Sequence, residues 1–163
     1  MAIVALGLSA DLVKGQLFGD APTTTKYGTF TGGFGLAVAV LGLASVFIDA
    51  IPALVVMAAD ALSGLLLLGG GIAFAIGLRG VTCAENKVSA LAGNELVNGG
   101  TVMIDGTPHR HQDMTDDLLL GRCKKATADQ AMHFVTVGFV ITTIVLAFLV
   151  WKNGRGSKSG AYV

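Results

Sequence analysis

The sequence predicts an all-α membrane protein, and three observations carry that expectation. Ile51–Leu78 is apolar or small almost throughout, with Asp60 as its only charge. Tyr27–Ile48 carries no charge, and Gln130–Trp151 carries none while His133 is neutral. Each run reaches the roughly 20 residues that a helix needs to cross a bilayer. The composition agrees, since 53% of the 163 residues are hydrophobic and only 13% are charged. Soluble domains carry about a quarter charged residues. The formal net charge is zero, which gives no electrostatic reason to expect a nucleic-acid partner.

The elements follow in chain order. Met1–Val13 is apolar apart from Ser9 and Asp11, and is too short to span. It lacks the basic start and small-residue cleavage site of a secretory signal. The expectation is the C-terminal half of a spanning helix, a partial span over 1–16; an interfacial helix or an unusually short span is the alternative. Leu17–Lys26 is a connection, because Gly19, Asp20 and Pro22 break helices. Spans are expected over 27–48, 51–78 and 130–151. Asp49 and Ala50 with Pro52 make a tight hairpin between the first two, since Pro suits the first turn of a helix.

Residues 79–129 form the one large polar region and are expected as a single outer loop. Thr101–Ile104 before Asp105-Gly106 has the form of half a hairpin, as Asp-Gly suits a type I′ turn. Pro108 makes a poor partner strand. Residues 153–163 are rich in Gly, Ser and basic residues and are expected as a tail.

Charge sets the orientation. The tail holds Lys152, Arg155 and Lys158 without an acid, whereas the loop mixes both signs. The positive-inside rule therefore puts the tail, and with an even number of helices both termini, in the cytosol. Cys83 and Cys123 then lie at opposite ends of one loop on the outer side. In an oxidising compartment such a pair forms a disulfide. The opposite orientation would leave two reduced thiols.

Several short motifs sharpen this pattern. Gly77-Leu78-Arg79 followed by Cys83 resembles the end of the third helix in the fungal non-classical export protein family, whose members are MARVEL-type tetraspan proteins. Arg122-Cys123-Lys124-Lys125-Ala126-Thr127-Ala128, with Ala131 and Phe134, resembles the entry to that family's fourth helix. Asp60 with Leu62 and Ser63 resembles its third-helix acid. Gly7-Leu8-Ser9-Ala10 with Gly15-Gln16 resembles the close of its first helix. The resemblance implies a MARVEL-like four-helix transmembrane bundle over residues 1–152, with a truncated first helix and a large extracellular loop. It also implies a plasma-membrane organiser linked to eisosomes and sphingolipid rather than an enzyme.

The remaining candidates are weighed residue by residue. Asp60 in an apolar run marks an interior position that serves packing, lipid-linked regulation or transport. The expectation is a neutral acid, hydrogen-bonded to Ser63 or a neighbouring helix. Gly28, Gly32 and Gly35, then Gly64, Gly69, Gly70 and Gly71, provide small faces for close helix approach or a lipid groove. Arg79, Trp151 and Lys152 read as interface anchors. His133, near Asp129 and Gln130, reads as an interfacial polar residue. His109 and His111 with Asp113, Asp116 and Asp117 have metal-ligand chemistry, but Gly106 and Pro108 favour a solvated loop over a rigid ligand set.

No nucleophile–base pair or phosphate loop stands out, and no catalytic residue, metal or cofactor is expected. The expected partners are membrane lipids, including sphingolipid or sterol, other membrane proteins and further copies of the chain. Two alternatives compete with a membrane organiser. One is an accessory subunit of a larger membrane enzyme or pump. The other is a transporter or channel with Asp60 on a hydrated path.

Overall fold

A computed structural model describes residues 1–17, 19–48, 51–104, 107–110 and 114–157. Its helices are α1 (Ala2–Lys14), α2 (Thr23–Phe47), α3 (Ala53–Gly77), α4 (Val88–Ala92) and α5 (Asp116–Ser157). A 3-10 turn at Glu85–Lys87 leads into α4, and strands β1 (Thr101–Ile104) and β2 (Thr107–Arg110) form a hairpin. The packing is circular. α1 lies on α2 and α5, α2 on α3, and α3 on α5.

Three of these helices, α2, α3 and α5, are long and apolar enough to cross a membrane. α1 is not. Its 13 residues rise only about 20 Å, short of a hydrocarbon core of about 30 Å. Pro22 and Pro52 immediately precede α2 and α3, where a missing N–H costs nothing. The C-terminus of α3 is closed by Asn94, whose Nδ2 donates to the Gly77 carbonyl at 2.7 Å. This satisfies a carbonyl that the helix itself cannot pair.

The structure corrects two boundaries. Residues 79–129 are not one loop, because α5 begins at Asp116 and carries Arg122, Lys124, Lys125 and Asp129 on helix. At 42 residues it is about 63 Å long, roughly twice the hydrocarbon thickness. The last acid, Asp129, marks where charge ends and not where helix begins. Asp116 and Asp117 in the first turn favour a start there by opposing the helix dipole. α5 also runs on through residues 153–157, so helix extends into the expected tail.

The second correction is the hairpin. β2 contains Pro108, paired opposite Met103, with Thr101 opposite Arg110. A two-stranded sheet leaves each strand one free edge, and Pro is tolerated at such edges. The Asp105-Gly106 turn lies outside the described residues, as do Asp49, Ala50, His111 and Asp113.

The buried core is concentrated at the loop end. Leu12, Phe74, Leu91, Val97, Leu119 and Cys123 pack together there. The loop reaches this core because Gly99 and Gly100 take φ of +69° and +108°, values that side chains resist. A Cβ at Gly99 would also run into Met114. Away from the loop, Val46, Phe47, Leu65, Ile141 and Val150 are exposed. Exposed apolar surface on that scale suits contact with lipid.

Candidate functional site: a buried polar cluster and an acid-lined cavity

Two polar features lie inside the bundle. The first joins three helices through four side chains with no exposed surface: Ser9, Thr31, Asp129 and His133. Ser9 Oγ donates to Asp129 Oδ2. His133 Nδ1 lies 2.9 Å from the Asp129 carbonyl and 3.4 Å from Asp129 Oδ1. Facing only oxygens, Nδ1 carries a proton. Nε2 lies 3.1 Å from Thr31 Oγ1, whose one proton goes to Nε2 of a neutral imidazole or to the Gly28 carbonyl, also 3.1 Å away. The cluster is thus tied to α1, α2 and α5.

α3 makes room for it. A Cβ at Gly70 would stand 2.8 Å from His133 Cδ2 and 3.2 Å from Thr31 Oγ1. Phe74 lies beside the imidazole, with ring centroids 5.7 Å apart. Across the cluster, a Cβ at Gly28 would stand 2.5 Å from Ser9 Oγ. The order Thr31–His133–Asp129 matches a nucleophile, base and orienting acid, but full burial keeps substrate from all three. The arrangement is suited to fixing helix register, since a polar group without water needs its partner.

A second set of bonds fixes the loop end. Arg122 is buried, and its Nε donates to the Val97 carbonyl at 3.0 Å and its Nη2 to the Leu12 carbonyl at 3.2 Å. A cation at the C-terminus of α1 also complements the helix dipole. Lys125 and Asp11 add an exposed ion pair at 2.6 Å. Cys83 and Cys123 are joined in a disulfide with Cα atoms 5.6 Å apart.

The predicted glycines are distributed as follows. A Cβ at Gly32 would stand 2.8 Å from the Leu6 backbone, so Gly28 and Gly32 line the α1–α2 contact. Gly35 faces Ala2, Ser63 and Leu67. Gly64 faces Val140, Gly69 faces Tyr27, and Gly71 faces His133 and Phe134. Each therefore meets a side chain of another helix. Arg79 is exposed just beyond α3, while Trp151 and Lys152 lie within α5 because that helix continues past them.

Asp60 departs from expectation. It lines a cavity of about 400 Å³ together with Ser63. Among the described residues neither side chain has a hydrogen-bond partner, so the expected bond between them is absent. Their spacing of three residues places both on one helix face, pointing into the same space rather than at each other.

Sequence reasoning missed the buried cluster. Its signal was present: Asp129 and His133 are four residues apart, hence stacked on one helix face. Ser9 is also one of only two polar residues in the first 13. Placing Asp129 in the loop and His133 at the interface concealed this. Both are instead fully buried, because α5 begins before them and carries them between the other helices.

An all-helical core of long apolar helices, with polar groups turned inward, defines a membrane protein. The chain belongs to the MARVEL family, described as a membrane-associating domain, whose pattern matches residues 1–150. No curated protein and no solved structure matches the chain.

Proposed function

We propose that the protein is a non-enzymatic organiser of plasma-membrane microdomains, acting through lipid and protein contacts. One observation carries the reading. The intramembrane hydroxyl, carboxylate and imidazole groups of the cluster are bonded to one another, while the outward helix faces are apolar. Such a molecule presents shape and hydrophobic surface to its surroundings in place of a reactive site. The resemblance to fungal non-classical export proteins adds the link to eisosomes and sphingolipid. In this reading both termini are cytosolic, and the disulfide-bearing end faces the oxidising outside.

Imaging of the tagged protein in living cells tests this. Stable patches in the plasma membrane, altered when sphingolipid synthesis is inhibited, are the expected result. Uniform distribution, or residence only in internal membranes, would refute it. The Asp60 cavity favours transport as the second reading. That reading requires ion or solute flux in proteoliposomes that Asp60→Asn abolishes.

A further inference from the structure

The half of the bundle away from the loop holds an open cavity lined by Asp60 and Ser63. α3 contributes Asp60, Ser63 and Leu67 to one wall. This stripe is polar toward the start of α3 and apolar deeper in. α2 and α5 complete the walls with Val38, Thr136, Phe139, Val140 and Thr143. Asp60 lies two turns into α3, about 10 Å from its first residue.

An acid at such depth is costly without a counter-charge. Among the described residues no cation pairs with Asp60. Met1 also lines the cavity, yet no ion pair joins it to Asp60. Ser63 is only 3% exposed, and that small surface faces the same space. The cavity therefore holds one acidic acceptor and the uncommitted Ser63 hydroxyl, with Leu67, Val38 and Phe139 as apolar walls; the Thr136 and Thr143 hydroxyls that also line it donate to the Met132 and Val140 carbonyls.

We propose that this cavity binds a membrane-dissolved amphiphile with a single cationic amine head and a narrow apolar body. The ammonium pairs with Asp60 and donates a second hydrogen bond to Ser63 Oγ. The apolar body runs inward along Leu67, Val38 and Phe139. The alternatives fit less well. A hard metal ion takes six or more oxygens, and the side chains lining the cavity supply five, one carboxylate and three hydroxyls. A neutral lipid tail has no use for a carboxylate. This inference goes beyond the microdomain reading, and its test uses isolated protein, so either idea can fail without the other.

The test uses the full chain in phosphatidylcholine nanodiscs. The probes are a diazirine-bearing dodecylamine and the corresponding dodecanol. The amine should crosslink to peptides of α2, α3 and α5 that line the cavity, and unlabelled dodecylamine should compete. Asp60→Asn, close to isosteric, should reduce amine labelling about tenfold or more, the worth of one charge-assisted hydrogen bond, and leave the alcohol unaffected. Gly42 also lines the cavity and has room for a side chain, the nearest atom to a Cβ being Val56 Cγ1 at 3.8 Å. Gly42→Leu, with Asp60 intact, should therefore also suppress amine labelling. Equal labelling of the native protein by both probes would mean a plain lipid groove and overturn the proposal. So would amine labelling that survives Gly42→Leu.

Discussion

Gly70 on α3 lies against the His133 ring on α5, so close that a Cβ would stand 2.8 Å from Cδ2 and 2.9 Å from Nε2. The imidazole is held in place by Asp129 and Thr31 and cannot retreat. The glycine is thus the complement of a fixed polar side chain on the next helix.

Gly70→Ala should therefore destabilise the bundle by about 1–3 kcal/mol, the usual cost of overpacking a rigid core. Gly138→Ala is the control, since nothing lies within 4 Å of a Cβ there. Thermal unfolding in detergent, followed by loss of monodisperse protein, reads both. A Tm for Gly70→Ala equal to that of Gly138→Ala would contradict the packing described.

The buried cluster should behave as a unit. Asp129→Ala leaves Ser9 Oγ without its partner, while His133 Nδ1 keeps the residue 129 backbone carbonyl, and should cost about 1–3 kcal/mol. Ser9→Ala alone should cost less. A double-mutant cycle between Ser9 and Asp129 should give a coupling of about 1–3 kcal/mol. Simple additivity would show that the hydrogen bond contributes nothing.

Arg122 should control how α1 is held. Arg122→Ala removes the donors to the Leu12 and Val97 carbonyls and should weaken α1 docking by about 1.5–3 kcal/mol. Hydrogen exchange over residues 2–14 reports this directly. Faster exchange confined to α1 and the adjoining loop is expected, while unchanged exchange would assign Arg122 a surface role.

The disulfide should be present in protein never exposed to reductant. Non-reducing peptide mapping should recover Cys83 and Cys123 in one linked fragment. Their separation of 40 residues makes the bond worth about 3–4 kcal/mol in the chain-entropy model. Cys83→Ser with Cys123→Ser should lower thermal stability accordingly. Recovery of two free thiols from native membranes would reject both the bond and the proposed orientation.

Asp60 should tolerate replacement as far as folding is concerned. It makes no hydrogen bond with any described residue, so Asp60→Asn and Asp60→Leu should both stay within about 1 kcal/mol of the native protein, as for a site without packing partners. Strong destabilisation by Leu alone would restore the hydrogen-bonded acid expected from the sequence.

The long helices were legible because hydrophobicity over 20 residues is a strong signal that needs no tertiary context. The start of α5 was not, because the rule that locates a membrane boundary is silent on helix outside it. Lys124 and Lys125 look like loop residues only while every helix is assumed to end at the bilayer. The hairpin was half read: Asp105-Gly106 announced a turn, and Pro108 argued against a strand that a free edge permits. The polar cluster depends on which helix faces meet. Ser9 and Asp129 are 120 residues apart, and no local pattern couples them. Asp60 was conspicuous as a lone charge, but its lack of a partner is a property of the space around it.

Arg122 and Cys123 are consecutive, and between them they grip α1, the chain after α3 and the inner loop. One turn of α5 thus acts as a clasp for the whole loop end. At the other end, Gly42 of α2 lies against Val56 of α3, near the acid-lined cavity. The covalent bond and the buried Arg122 hydrogen bonds therefore lie at one end of the bundle and the acid-lined cavity at the other.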